Sequence, residues 1–400
     1  MDRGVFSLGR GPSFWLLGLI LALLLFAASA PSPIYREYQA AMGFSALTLT
    51  AIYGSYAVGG IATLLTMGRL SDHLGRRAVL VLALAIETVA MLLFIRVADI
   101  KLLFVARILT GAGVGIAAGA VSAWLLDLSP PADPQLGSVV NGAGPLLGLG
   151  GGALLAAVLV EFGPDPLSLV FQVLATTYVI SILCLLIVPD EARRRPGWLA
   201  SMRPSIGVPD AVRPIFVAAT PAVVGMWALG GLYLSLGPSL ALETLQTTNR
   251  LVGGLVIFAL CGTGAVASFL LRRVDPNRLL LAGPAVVILG VAITLLGVLT
   301  RSPALLYGGS IIAGVGLGGG FSAFVRATAP LAPPERRGAL VAAIYVVTFV
   351  SFSVPTVLAG YVVSVLGLRT TTFAYGVVVM ALAAATTVVV SRRLARVARP

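Results

Sequence analysis

The 400-residue chain is 58% hydrophobic and only 10% charged, against about 25% charged in an ordinary soluble domain. This excludes a set of water-soluble domains and indicates a chain that crosses a bilayer many times. The net charge of +12 does not signal a nucleic-acid partner, because the arginines stand in short breaks between apolar runs, as they do on the cytoplasmic side of membrane proteins.

A helix needs about 20 apolar residues to cross about 30 Å of hydrocarbon. Twelve runs qualify: 14–33, 46–68, 78–97, 102–126, 136–160, 167–188, 214–236, 251–271, 279–300, 304–327, 339–362 and 371–390. The first run, with Arg3 and Arg10 before it and Ala28-Ser29-Ala30 at its end, has the outline of a secretory signal. Its loss would leave an uneven set, so the expectation is a retained first span. Span two carries Tyr53 and Tyr56. A short turn follows, Gly68-Arg69-Leu70-Ser71-Asp72-His73-Leu74-Gly75-Arg76-Arg77. Here Gly68 allows close packing, Gly75 takes a conformation that other residues avoid, and Asp72 is placed to meet backbone donors or a helix N-terminus. Arg76 and Arg77 anchor the polar face.

Glu87 is the one carboxylate deep in a span, about nine residues or roughly 14 Å into the third. Two roles stand open for it, a structural carboxyl between helices and a proton carrier. About six residues into span four stands Arg107, which either reaches back to the surface or serves a function, since charge inside a membrane is costly. Gly111, Gly115 and Gly119 follow at four-residue spacing, a pattern for close helix approach. Trp124 and Asp127 end that span. Span five carries Asn141, Gly144-Pro145 and Gly148, again read chiefly as helix packing. The segment 189–213 holds five arginines and reads as a cytoplasmic linker, with a short interfacial helix around Trp198 to Met202. Span seven contains Trp227 and Tyr233 and ends at Gly237-Pro238, a candidate break and gate hinge. Span eleven contributes Tyr345, Phe349 and Phe352.

With the N-terminus inside, the inner segments hold twenty basic residues and the outer loops six, so both termini are expected in the cytoplasm. The linker divides a half at 1–188 from a half at 214–400. Shifting the chain by 200 positions brings Gly119, Ser122, Ala123, Pro130, Ala132 and Pro134 onto Gly319, Ser322, Ala323, Pro330, Ala332 and Pro334. An even-numbered repeat keeps its orientation, which gives parallel halves with a site between them.

The Gly68–Arg77 turn resembles the signature loop of the major facilitator superfamily, with His73 where that family usually has Arg or Lys. Arg107 with Gly111, Gly115 and Gly119 is similar to the arginine-and-glycine motif the family carries in its fourth span. Gly144-Pro145 is a looser match to the glycine-proline motif of its drug antiporters, because the glycine pair that should follow directly is displaced. The resemblance implies an all-α fold of twelve transmembrane helices in two parallel six-helix halves. It implies that Tyr53, Tyr56, Trp124, Asn141, Trp227, Tyr233, Tyr345 and Phe349 line or approach a central cavity, and that the third span is peripheral to it. Gly68, Asp72, Gly75, Arg76 and Arg77 would form the gating loop, and Glu87, Arg107 and Asp127 are the proton-coupling candidates.

The expected function is a secondary transporter of a small, mostly apolar molecule, working by alternating access as a proton-coupled exporter in a bacterial cell membrane. The alternatives are an uptake symporter, a facilitated-diffusion carrier and a transporter-like sensor without flux. The expected partners are the substrate, protons and lipid, with the chain acting as a monomer. No phosphate-binding GxxxxGK[ST] loop is present, so ATP is not expected as the direct energy source. One histidine, two cysteines within apolar runs and one deep carboxylate supply neither a metal site nor an enzyme's catalytic cluster, and no cofactor is expected.

Overall fold

The computed structural model describes residues 8–133, 135–190, 202, 206–333 and 336–397, without the side chains of Asp72 and of 393–397. Among the described residues, twelve helices carry the fold: α1 Arg10–Ser29, α2 Ala46–Met67, α3 Arg76–Ile95, α4 Ile100–Asp127, α5 Leu136–Phe162, α6 Leu169–Leu185, α7 Arg213–Ser235, α8 Leu251–Leu270, α9 Pro276–Thr300, α10 Pro303–Thr328, α11 Arg337–Leu366 and α12 Leu368–Val397. Eleven are long and apolar enough to cross a bilayer, and α6, at 17 residues, is the short one. No strand occurs among the described residues. This is the all-α architecture expected from the apolar runs, because within hydrocarbon every backbone polar group must bond inside its own segment. The expected interfacial helix near Trp198 falls almost wholly outside the described residues.

The helix ends follow from local chemistry. The Ser45, Asp99, Asp275 and Ser302 side chains each accept from a backbone N–H three residues on, at 3.1, 2.8, 3.1 and 3.4 Å, and so cap α2, α4, α9 and α10. Proline occupies the first turn of α7, α9 and α10, where its missing N–H costs nothing. Two short helices were not foreseen as separate elements. Tyr35–Met42 follows α1 and stops at Gly43, whose φ is +67°. Gly237–Leu245 follows α7, with the chain breaking at the Gly237-Pro238 step picked out in the sequence.

The duplication is visible in the packing. α1 lies on α5 as α7 lies on α11, and α2 lies on α4 as α8 lies on α10. α3 packs on α4 and α6 as α9 packs on α10 and α12. One hydrogen bond is repeated almost at the 200-residue offset. Thr63 Oγ1 donates to the Ala112 carbonyl at 3.0 Å, and Thr263 Oγ1 donates to the Ile311 carbonyl at 3.1 Å. The two extensive seams between the halves are α2 against α11 and α5 against α8.

Candidate transport site

The loop between α2 and α3 sits at the end of the bundle that carries most of the arginines, called here the basic end. Ser71–Leu74 makes one helical turn, and Gly75 follows at φ +92° before α3 begins. A side chain at Gly75 would be strained, so the glycine spacing read in the sequence has a backbone cause. Arg76 forms an ion pair with Asp127 at the end of α4, and Arg10 of α1 donates to the Asp127 carbonyl at 2.6 Å. Arg77 donates through its side chain to the Val188 carbonyl, and through its backbone N–H to Asp190 at 3.1 Å. The loop is thus tied to the ends of α4 and α6. Asp127 is exposed rather than deep, with 60% of its side chain open to solvent. The backbone of Asp72 lies in the Ser71–Leu74 turn, and its side chain lies outside the described set. Asp190 is a site residue that sequence reading missed, since nothing in the local pattern links it to a turn more than a hundred residues away.

The glycines of α4 make its contact with α2 possible. A Cβ on Gly111 would stand 1.8 Å from the Tyr56 carbonyl oxygen, one on Gly115 2.4 Å from the Gly60 oxygen, and one on Gly119 2.5 Å from the Gly68 oxygen. In α5, a Cβ on Gly148 would lie 2.2 Å from the Ala22 oxygen of α1, and one on Gly144 would touch Leu21 at 3.3 Å.

Arg107 is fully buried, so it does not reach back to the surface. Its Nη1 donates to the Ala28 carbonyl of α1 at 2.8 Å. Its guanidinium carbon stands 5.0 Å from the ring centroid of Tyr53 and 5.0 Å from that of Tyr56, within cation–π range of both. Its Nε and Nη2 have no hydrogen-bond partner. Glu87 is likewise fully buried and both its carboxyl oxygens lack partners. It is packed against α4 so closely that a Cβ on Gly113 would lie 2.7 Å from Oε1. α3 packs on α4 and α6, so Glu87 sits behind the interface between the halves rather than within it. Arg107 and Glu87 form no ion pair with each other.

From Arg107 a chain of rings crosses the α2–α11 seam. Tyr53 lies 5.1 Å from Phe352, and Tyr56 lies 5.7 Å from Phe349 and 6.4 Å from Phe352. Phe352 meets Trp227 of α7 at 6.3 Å, and Trp227 meets Phe321 of α10 at 5.1 Å. Tyr345 meets Phe349 at 6.3 Å. Five of the eight residues picked as cavity candidates therefore fall into one cluster. Asn141 is half-buried and donates to the Ser122 carbonyl of α4 at 3.2 Å. The Tyr233 hydroxyl is engaged within its own half, 2.9 Å from Ser310 and 3.4 Å from Thr294. Trp124 is buried near the end of α4, apart from the cluster. Phe321 and Tyr35, which is 6.3 Å from Tyr53, were missed. Tyr35 stands beyond the first span, at the first residue of the Tyr35–Met42 helix, where counting spans did not look for a site residue.

Charged contacts join the two halves at both ends of the bundle. At the end opposite the basic one, Arg250 Nε donates to Glu37 Oε1 at 2.7 Å, and Arg250 Nη1 lies 3.8 Å from Glu161 Oε2. The Arg250 backbone N–H donates to that same Glu161 oxygen at 3.0 Å. The hydrogen bond with Glu37 holds the Arg250 pKa above its ordinary value. At the basic end, Arg272 Nη2 stands 3.6 Å from Asp133 Oδ2. Each contact joins a residue of the first half to one of the second, and such long-range pairing leaves no local signal in a sequence.

The Major Facilitator Superfamily model matches residues 16–354. No curated protein matches the chain by sequence. Among solved structures, a bacterial homolog of the human lysosomal transporter Spinster, inward-facing and occupied, superposes with a TM-score of 0.75 at 14% identity, covering 96% of this chain and 97% of that one. The same homolog, inward-facing and unoccupied, gives 0.74 at 14% identity, with 96% and 97% covered. A mutant of the nucleoside transporter NupG gives 0.72 at 12% identity, with 94% and 99% covered. These similarities extend over nearly the whole fold, and with the family match they make the chain a multi-pass membrane protein of the Major Facilitator Superfamily.

Proposed function

We propose that the chain is a secondary active exporter of a small, mostly apolar molecule, acting as a monomer in a bacterial cell membrane with both termini in the cytoplasm. The observation that carries this reading is the aromatic cluster on the α2–α11 seam, with charged contacts between the halves at either end of the bundle. Helices 1–6 and 7–12 rock about the cluster. Opening one end breaks the Arg250 contacts, and opening the other breaks the Arg272–Asp133 contact. The basic asymmetry of the loops favours the basic end as cytoplasmic, and the Asp72 loop steadies that side by gripping the ends of α4 and α6. Gly237-Pro238 serves as a hinge at the outer end of α7. The predominantly aromatic and aliphatic surroundings, with few buried charges, favour an apolar cargo.

Glu87 is the proton carrier in this reading. A neutral carboxylic acid is far cheaper to bury without partners than a carboxylate, so Glu87 loses its proton only when a conformational change brings water or a cation to it. In proteoliposomes, Glu87→Gln is expected to abolish accumulation driven by a pH gradient while leaving substrate counterflow intact. Full gradient-driven transport by Glu87→Gln would remove Glu87 as the carrier.

A further inference from the structure

We propose that Arg107 is the anchor for an anionic group, of the carboxylate class, on the transported molecule, and that Tyr53 and Tyr56 hold it in place. This deepens the transport reading and rests on it for the word "transported", but the binding site stands on its own observations. The guanidinium has one hydrogen bond, from Nη1 to Ala28. The unpartnered Nε and Nη2 lie side by side on one edge of the planar group. That edge is the one a carboxylate takes with two parallel, charge-assisted bonds. Leaving buried charged donors idle is costly, more so at membrane depth, where water does not compensate. The ring faces of Tyr53 and Tyr56 partly offset the charge but cannot accept in-plane N–H bonds.

No carboxylate among the described residues forms an ion pair with Arg107. Glu87 is the only carboxylate that is fully buried among the described residues, and its oxygens reach no donor. A carboxylate arriving from the central space would meet Arg107 at the foot of the ring chain leading to Phe349, Phe352 and Trp227. Trp227 carries an unpartnered, buried Nε1. One turn further along α7, Gly230 is buried, yet a Cβ built on it would meet nothing within 4 Å. The second half therefore offers room and a spare donor to the apolar body of a molecule whose acid group is held by the first half. An acid head with an aromatic or aliphatic body fits this arrangement, and a permanent cation does not.

The test uses the purified full-length protein in lipid nanodiscs and a panel of matched pairs, aromatic carboxylic acids and their primary amides, read by thermal shift and by quenching of tryptophan fluorescence. The acids should bind about 10- to 100-fold more tightly than the amides, the range that a hydrogen-bonded charged contact supplies. Arg107→Gln should erase the difference, and Arg107→Lys, which keeps the charge but not the two-pronged edge, should retain part of it. Equal binding of acids and amides by the unmodified protein, or no acid-selective effect anywhere in the panel, overturns the assignment even if Arg107→Gln does not fold. Acid selectivity that survives in folded Arg107→Gln overturns it as well. Acid-selective binding with no flux in proteoliposomes would leave the site standing and remove the transport reading. Flux of amides and acids alike would do the reverse.

Discussion

Replacing Arg250 with Gln should loosen the end of the bundle opposite the basic loops. The side chain joins Glu37 at 2.7 Å and Glu161 at 3.8 Å. Its partners are partly open to solvent, with 33% and 23% of their side chains exposed against 38% for Arg250, so water and salt screen much of the attraction. Pairs of this kind contribute about 0.2–1 kcal/mol each. The bond from the Arg250 backbone N–H to Glu161 survives the substitution. The net loss is about 1 kcal/mol, which raises the population open at that end by about fivefold. The protein carries its own reporter. Cys261 lies eleven residues along α8 from Arg250, 1% exposed, against Gly150 on the α5–α8 seam, where a Cβ on Gly150 would stand 3.3 Å from the Cys261 Cβ. With Cys184 changed to Ser, a membrane-impermeant maleimide added from the Arg250 side should label Cys261 about five times faster in Arg250→Gln than in its parent. Raising salt from about 0.1 to 1 M shortens the screening length from about 10 to 3 Å, and should speed labelling of the parent but not of the variant. Glu37→Gln combined with Arg250→Gln should add little to either alone. An unchanged labelling rate in well-folded Arg250→Gln would refute the reading of this contact as a latch.

Gly111→Val should prevent α2 and α4 from meeting, since even a Cβ would stand 1.8 Å from the Tyr56 oxygen. Overpacking of this kind costs about 1–3 kcal/mol or more, to be seen as a large fall in Tm or loss of monodisperse protein, whereas Gly151→Ala, with nothing within 4 Å, should leave both unchanged. Thr63→Val and Thr263→Val each remove one interhelical hydrogen bond, and each should cost about 0.6 kcal/mol. Because the two bonds are far apart, the double variant should lose the sum of the two in a denaturant titration. Asp72→Asn keeps size and removes charge in the loop that grips α4 and α6. The protein should insert normally and transport should stop, as measured by flux against expression level.

Much of the fold was legible because the bilayer enforces a local rule. A spanning segment must satisfy its own backbone and be apolar along its length, so each helix announces itself as a run, and the 200-residue echo points to two halves. The turn at Gly75 and the glycines at 111, 115 and 119 were legible for the same reason, since a residue without a side chain is required by its immediate neighbours. The sequence by itself could not choose between surface and interior for Arg107, because six residues into a helix allow either. The tertiary structure buries it between the Ala28 carbonyl and the faces of Tyr53 and Tyr56, contacts that depend on how α1, α2 and α4 rotate about their axes. It also separated Asp127, exposed and paired with Arg76, from Glu87, buried and unpaired. The ties from Arg250 to Glu37 and Glu161, and from Arg272 to Asp133, were invisible for a physical reason. An ion pair between distant loops of different halves has no period, propensity or spacing to betray it, and exists only once two halves, each with its own local logic, have been brought face to face.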